Sequence, residues 1–191
     1  CHWVCLRLYT NSSGAFVQFH LKQYSDNYLN QGVIRLCGQG QSAHKTRVAS
    51  VAGSFHPTLT GIAPEANIVD ACTDGTDTDT VAGLLWAIGQ ADIINYSAVF
   101  NYDSALDWTD RAFDYWASEG SVTVAAGSGN VHNAYVGSPA KGWNVLAVGG
   151  SDDNNTSSWT DDSIWYDSAW RNPGSDHGDR GRAAPTAPTI R

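Results

Sequence analysis

The chain contains no methionine, and its 11 lysines and arginines are outnumbered by 19 aspartates and glutamates. The formal charge of -8 leaves no cluster of cations to hold nucleic acid or an anionic membrane, so neither is an expected partner. No apolar run approaches the roughly 20 residues that a membrane-crossing helix needs, and no transmembrane helix is expected. Charged residues make up only 16% and hydrophobic ones 42%, which excludes a disordered chain or a coiled coil and indicates a globular body. Metal-ligand spacing is missing too: His2, His20, His56, His132 and His177 are scattered, and there is no Cys-x-x-Cys. No cofactor is expected. Asp152, Asp153, Asp161 and Asp162 could offer oxygen ligands to calcium, but they lack EF-hand spacing and read first as a solvated acidic loop.

The 191 residues suffice for one domain with a real core. Low lysine content beside abundant Gly, Ser, Thr, Asn, Tyr and Trp suggests an extracellular, secreted protein. Cys1, Cys5, Cys37 and Cys72 form an even set, compatible with disulfides whose connectivity stays open. A start at Cys1, with neither initiator methionine nor signal segment, is expected of a processed chain or a fragment; a lipidated Cys1 is the alternative.

Residues 1–43 are the least legible. Val4, Leu6 and Leu8 alternate, and Phe16, Phe19 and Leu21 do so more loosely, which suggests two short strands. From His44 onward, helix and strand alternate. A helix over 44–53 leads to a strand over 67–72, and Asp77, Thr78 and Asp79 offer caps for a helix from Val81 to Gly89. A strand over 92–97 precedes a helix from Leu106 to Ser118 that stops at Gly120, and strands over 121–127 and 143–149 follow. Repeated βα units with nearly continuous apolar strands predict an α/β fold, a parallel sheet with helices on both faces, whose ligands bind at the carboxyl ends of the strands. Residues 151–191 turn rich in Asp, Asn, Ser, Trp, Gly and Pro, and read as loops with aromatic anchors.

The sharpest stretch is His44-Lys45-Thr46-Arg47-Val48-Ala49, followed by Gly61-Ile62-Ala63-Pro64. It resembles the H-G-T-x-V-A helix and G-[VI]-A-P turn of subtilisin-like serine peptidases. Further elements follow in the same order: Ile93-Ile94-Asn95-Tyr96-Ser97 is similar to V-I-N-x-S, Val122 to Asn130 to V-V-A-A-G-N, and Ser138-Pro139-Ala140 with Asn144 to Gly149 to the P-A-x-x-x-x-V-[IL]-[AT]-V-G element. The resemblance implies a subtilisin-like core over 44–191, following a poorly defined segment 1–43. It implies serine-type hydrolysis of peptide bonds, with a polypeptide as substrate or partner.

By this resemblance His44 is the general base, and Ser97-Ala98-Val99 and Ala126-Gly127-Ser128 line the two sides of the pocket for the residue before the cleaved bond. The bland alternative for these segments is strand ends packed beneath loops. Two registers compete for the side-chain oxyanion donor: aligning on Ala-Ala-Gly puts Ser128 there, and aligning on Gly-Asn puts Asn130 there, the favoured candidate. Lys45 stands where the family has glycine, and together with Arg47 it sets two cations that disfavour protonation of the imidazole.

The rest of the catalytic set is not visible. No Asp-[Ser/Thr]-Gly precedes His44, and Asp26 is the only aspartate upstream. Gly178-Asp179-Arg180 resembles the segment leading to the nucleophile, yet Ala183-Ala184-Pro185 has no Gly-Thr-Ser before it. This polypeptide is therefore expected to lack the nucleophile helix and to be inactive by itself. The competing expectation is a non-catalytic extracellular binding or structural module, with Trp143, Trp159, Trp165 and Trp170 as interface anchors if exposed. A core without its central helix would expose apolar surface and require an assembly partner or more polypeptide to cover it.

Overall fold

The computed structural model describes residues 3–7, 34–35, 43–71 and 76–173. The expected strand around Phe16 to Leu21, Asp26, the Gly178-Asp179-Arg180 segment and the side chains of all four cysteines lie outside the described residues. The chain forms two compact units, one of Cys1–Ser97 with Trp116–Val124 and one of Ala98–Tyr115 with Ala125–Arg191.

In the first unit, strands β1 (Trp3–Arg7), β2 (Ile34–Arg35), β5 (Asn67–Asp70), β6 (Ile93–Tyr96) and the start of β7 (Thr123–Gly127) lie in the order β2-β5-β1-β6-β7. β2 runs parallel to β5, with Ile34 opposite Val69. β1 is antiparallel to both β5 and β6, so those two share one direction. Thr123 N, at the start of β7, donates to Asp92 O beside the start of β6, as a parallel neighbour does. The α/β class with a parallel sheet therefore holds, and β1 is the exception. Alternation of Val4 and Leu6 fixes which faces a strand presents but says nothing of its direction, and β1 precedes the βα units whose crossovers enforce parallel pairing.

Helix α1 (Ala43–Gly53) packs on β5 through small residues. Lys45, Ala49 and Gly53, spaced four apart, are all buried, and a Cβ on Gly53 would sit 3.0 Å from Ile68 Cδ1. The helix end is closed by the Gly-Ile-Ala turn: Ile62 N and Ala63 N donate to the otherwise orphaned carbonyls of Val51 and Ala52. Gly61 is required there because a Cβ would lie 2.6 Å from Ser54 N and 2.8 Å from Ser50 O. Between helix and turn, β3 (Phe55–His56) and β4 (Leu59–Thr60) form a small hairpin.

Helix α2 (Asp77–Ile88) begins earlier than expected. Its cap is Thr76, whose side chain accepts from Asp79 N, while Asp77 and Asp79 lie within the first turn, where carboxylates complement the helix dipole. Leu84, Ala87, Ile94 and Tyr96 form the centre of this unit's core, each large apolar side chain contributing on the order of 1.5–3 kcal/mol. Burial pushes the Tyr96 phenol up to about 12 despite a hydrogen bond with Thr80.

In the second unit, β8 (Val145–Val148) lies beside β7, and Ser128 N donates to Val148 O where both strands end. Val145 is buried, but Leu146 and Val148 are 60% and 49% exposed, an uncovered apolar face on β8. Helix α3 (Trp108–Glu119) starts two residues later than Leu106 because Asp107 caps it: Asp107 Oδ1 accepts from Asp110 N at 3.0 Å. Residues 151–173 are not loop throughout, since β9 (Ser151–Asp152) pairs with β10 (Ser163–Ile164).

Candidate active site

His44 is the second residue of α1, exposed to solvent in the helix's first turn. Its Nε2 lies 2.9 Å from the carbonyl oxygen of Ser97, just beyond the end of β6. Asn95 Nδ2 donates to Ser97 Oγ at 2.8 Å, which fixes the side chain of the same residue. In the first unit the fold thus brings together two of the candidate residues, His44 and Ser97. A bond to a carbonyl oxygen requires Nε2–H, so the imidazole as placed is a donor there.

Lys45 is not the free cation expected beside this ring. Its Nζ pairs with Asp70 Oδ1 at 2.9 Å, and both side chains are almost wholly buried. The pair ties the first turn of α1 to the end of β5, and one of the two supposed cations is neutralised. Arg47 is exposed.

The second unit holds the other candidates. Ala98 and Val99 are half-buried, Ala126 and Ser128 buried, and Gly127 half-buried. The two predicted walls meet through Gly137 and Ser138. Gly137 N donates to Ser128 O at 2.9 Å, Phe100 N donates to Ser138 O at 3.1 Å, and Ser138 N donates to Asn101 O at 3.1 Å. A Cβ on Gly137 would fall 2.1 Å from Val99 Cγ1 and 2.8 Å from Asn101 O, so only glycine lets the segments approach this closely. This bridge was not read from the sequence, although Gly137 directly precedes the Ser-Pro-Ala run that was.

The two competing oxyanion candidates differ sharply in setting. Ser128 is 3% exposed and its Oγ lies 3.4 Å from Ser168 Oγ, facing a cavity of about 250 Å³ lined also by Ala147, Ile164 and Trp170. Asn130 is exposed. Its backbone N donates to Tyr102 Oη at 3.1 Å, and the preceding Gly129 has φ 112°, with Tyr102 Cε1 only 2.3 Å from where a Cβ would lie.

Beneath the Val99 wall lies a buried polar cluster. Lys141 Nζ is 3.3 Å from Asp110 Oδ2, both side chains fully buried, and it donates to Ala105 O at 2.7 Å, Asp103 O at 3.2 Å and Asn101 Oδ1 at 3.3 Å. Ser138 Oγ donates to Asp110 Oδ2 at 2.8 Å. Burial pushes the Asp110 carboxyl up, outweighing the hydrogen bonds from Asp107 N and Ser138 and the charge of Lys141. Burial acts the same way on Asp107, but hydrogen bonds from Thr109, Asp110 N, Ser138 and Asn101 prevail and hold it well below the usual carboxylate range.

Among the described residues no three His, Cys, Asp or Glu side chains converge as metal ligands. The acidic loop considered for calcium is folded on itself: Asp152 Oδ1 accepts from Asn154 N, Asp153 Oδ1 from Asn155 N, and the Asp161 carboxylate from Thr156 Oγ1. Trp159, Trp165 and Trp170 are 79%, 49% and 46% exposed, whereas Trp143 is half-buried.

Comparison with known proteins bears on the family of the chain. The subtilisin-like protease 3 of Pseudogymnoascus destructans is 30% identical over 126 residues, and the serine protease AprX of Bacillus subtilis is 32% identical over 135. Each alignment covers 61% of this chain but only 30% of the relative, so the chain spans about a third of the length of these curated relatives. Among solved structures, the prenylagaramide maturation protease PagA shows 30% identity with a TM-score of 0.57, over 72% of this chain and 50% of its own. The self-cleaved protease domain of PatA shows 26% identity and a TM-score of 0.55, over 72% and 54%. The family model described as the subtilase family matches residues 22–177, most of the sequence, and the chain belongs to that family.

Proposed function

We propose that the chain serves as the histidine-bearing and pocket-bearing core of a subtilisin-like serine endopeptidase acting on polypeptides, with His44 as general base. The observation that carries this reading is the bond from His44 Nε2 to Ser97 O, which sets an exposed imidazole at the end of the strand that the motif assigns to substrate. In such a reaction the imidazole accepts the proton of a serine hydroxyl as that oxygen attacks the peptide carbonyl, then returns it to the leaving amine. To do so, Nε2 must leave the Ser97 carbonyl and lose its own proton. Asn130 is retained as the oxyanion donor, because the Ser128 hydroxyl is directed to Ser168.

With neither Gly-Thr-Ser nor Asp-[Ser/Thr]-Gly in the sequence, these 191 residues alone are not expected to form an acyl-enzyme. The exposed face of β8 at Leu146 and Val148 favours an assembly partner or further polypeptide there. A second reading, a non-catalytic extracellular binding module, is favoured by the exposure of Trp159, Trp165 and Trp170. One experiment separates the two: intact mass of the native protein before and after a serine-directed fluorophosphonate, alongside a peptide-hydrolysis assay. A single adduct together with hydrolysis supports the endopeptidase. A native mass equal to that of these 191 residues, with no adduct and no hydrolysis, overturns it in favour of the binding module.

A further inference from the structure

The Lys141 cluster is more elaborate than stability requires. Asp110 is fully buried, and its Oδ1 has no hydrogen-bond partner among the described residues, a costly arrangement that an apolar replacement of the ion pair would avoid. What the cluster does achieve is local. One ammonium gathers Asn101 Oδ1, Asp103 O and Ala105 O from a single non-helical segment and anchors them to Asp110 on α3. The neighbouring residue Ser138 holds the backbone of that segment through Phe100 N and Asn101 O, and Gly137 lies against Val99. The same segment supplies Tyr102, whose hydroxyl accepts from Asn130 N.

We propose that Lys141 is a positioning residue: its buried ammonium is an internal tether that holds segment 98–107 in shape, and so fixes both the Val99 wall and the backbone at Asn130. The role in substrate selection rests on the peptide-binding reading given above; the tether does not. An ammonium suits this task because its three donors can serve several carbonyl oxygens at once, as a bound cation would, without depending on an ion from solution. The charged groups facing it are Asp110 across the ion pair and Asp107 at the helix cap, which bonds Asn101 Nδ2.

The test uses the whole chain. Lys141→Met alone leaves the Asp110 carboxylate buried without its ammonium and is expected to unfold much of the protein. The informative variant is therefore Lys141→Met with Asp110→Asn, which removes both charges and keeps the side-chain volumes. Hydrogen exchange read by mass spectrometry should show segment 99–105 exchanging at least tenfold faster in the double variant, with the Phe113 region of α3 unchanged. Binding of a tetrapeptide series differing in the last side chain, followed by calorimetry, should weaken about tenfold and lose its discrimination among side chains. Unchanged protection of 99–105 overturns the tether. Faster exchange with unchanged peptide affinity and selectivity overturns its link to the pocket. A parent chain that binds no peptide, with exchange accelerated as expected, overturns the peptide-binding reading and the selection role with it while the tether stands.

Discussion

Replacing Lys45 is the most direct probe of how the candidate base is held. The Lys45–Asp70 pair spans 2.9 Å between side chains only 3% and 5% exposed, so solvent screens it little. Lys45→Met keeps the aliphatic stem but withdraws the ammonium from a buried carboxylate, a change that costs about 3–5 kcal/mol. Against a domain stability of roughly 5–15 kcal/mol, the loss would be large. Lys45→Met combined with Asp70→Leu removes both charges and should recover most of that cost, giving a strongly non-additive cycle. Urea unfolding at pH 7, followed by far-UV circular dichroism, measures Lys45→Met, Asp70→Leu and the double variant. Because the pair ties the first turn of α1 to β5, Lys45→Met should also loosen the bond from His44 to Ser97 and raise the rate at which diethylpyrocarbonate modifies His44. A single-variant cost below about 1 kcal/mol, or simple additivity in the double variant, would refute the claim that this pair is desolvated and anchors the helix.

Other positions give independent checks. Gly61→Ala forces a Cβ against three backbone atoms within 2.9 Å and should destabilise the chain by about 1–3 kcal/mol, with the loss of amide protection concentrated at Ile62 and Ala63. Thr76→Ala removes the cap of α2 and should cost about 1 kcal/mol in the same unfolding assay, with Thr76→Ser largely restoring it. The pH dependence follows from two carboxyls of opposite sign. Asp110 sits above its ordinary value of 3.8 in the folded chain, so its ionisation opposes folding at neutral pH, and stability rises as pH falls through its folded value. Asp107 sits below 3.8, so the stability it contributes is present above that pH and is lost as pH falls through its depressed folded value. Asp110→Asn leaves the buried Lys141 ammonium without its counter-charge, so urea midpoints measured from pH 7 downward should show it below the parent by a margin that widens on acidification; a constant difference would contradict the buried, raised carboxyl.

The elements were legible where local chemistry decides them. The α1 helix, the Gly-Ile-Ala-Pro turn and the four strands from β5 to β8 follow from apolar spacing and breakers, and the family from the order of its motifs. The misplaced helix starts came from capping: Thr76 and Asp107 are ordinary polar residues until the backbone amide three positions on turns towards their side chains. The direction of β1 was illegible because alternation carries no arrow. Lys45 looked like a free cation because a lysine's usual place is the surface, and its partner Asp70 lies 25 positions along the chain. The bridge at Gly137 and Ser138 joins stretches that no window of sequence brings together.

The antiparallel β1 has a kinetic consequence. Its residues pair with Asn67 to Val69 on one side and Ile93 to Tyr96 on the other, so the first of the described strands sits between strands formed far downstream. Neither contact can form until the intervening polypeptide has been made and brought back. Such long loop closures slow folding without weakening the final state. During synthesis both edges of β1 would wait for strands not yet released from the ribosome, and this is the interval in which a nascent chain of this kind is most open to pairing with a neighbour.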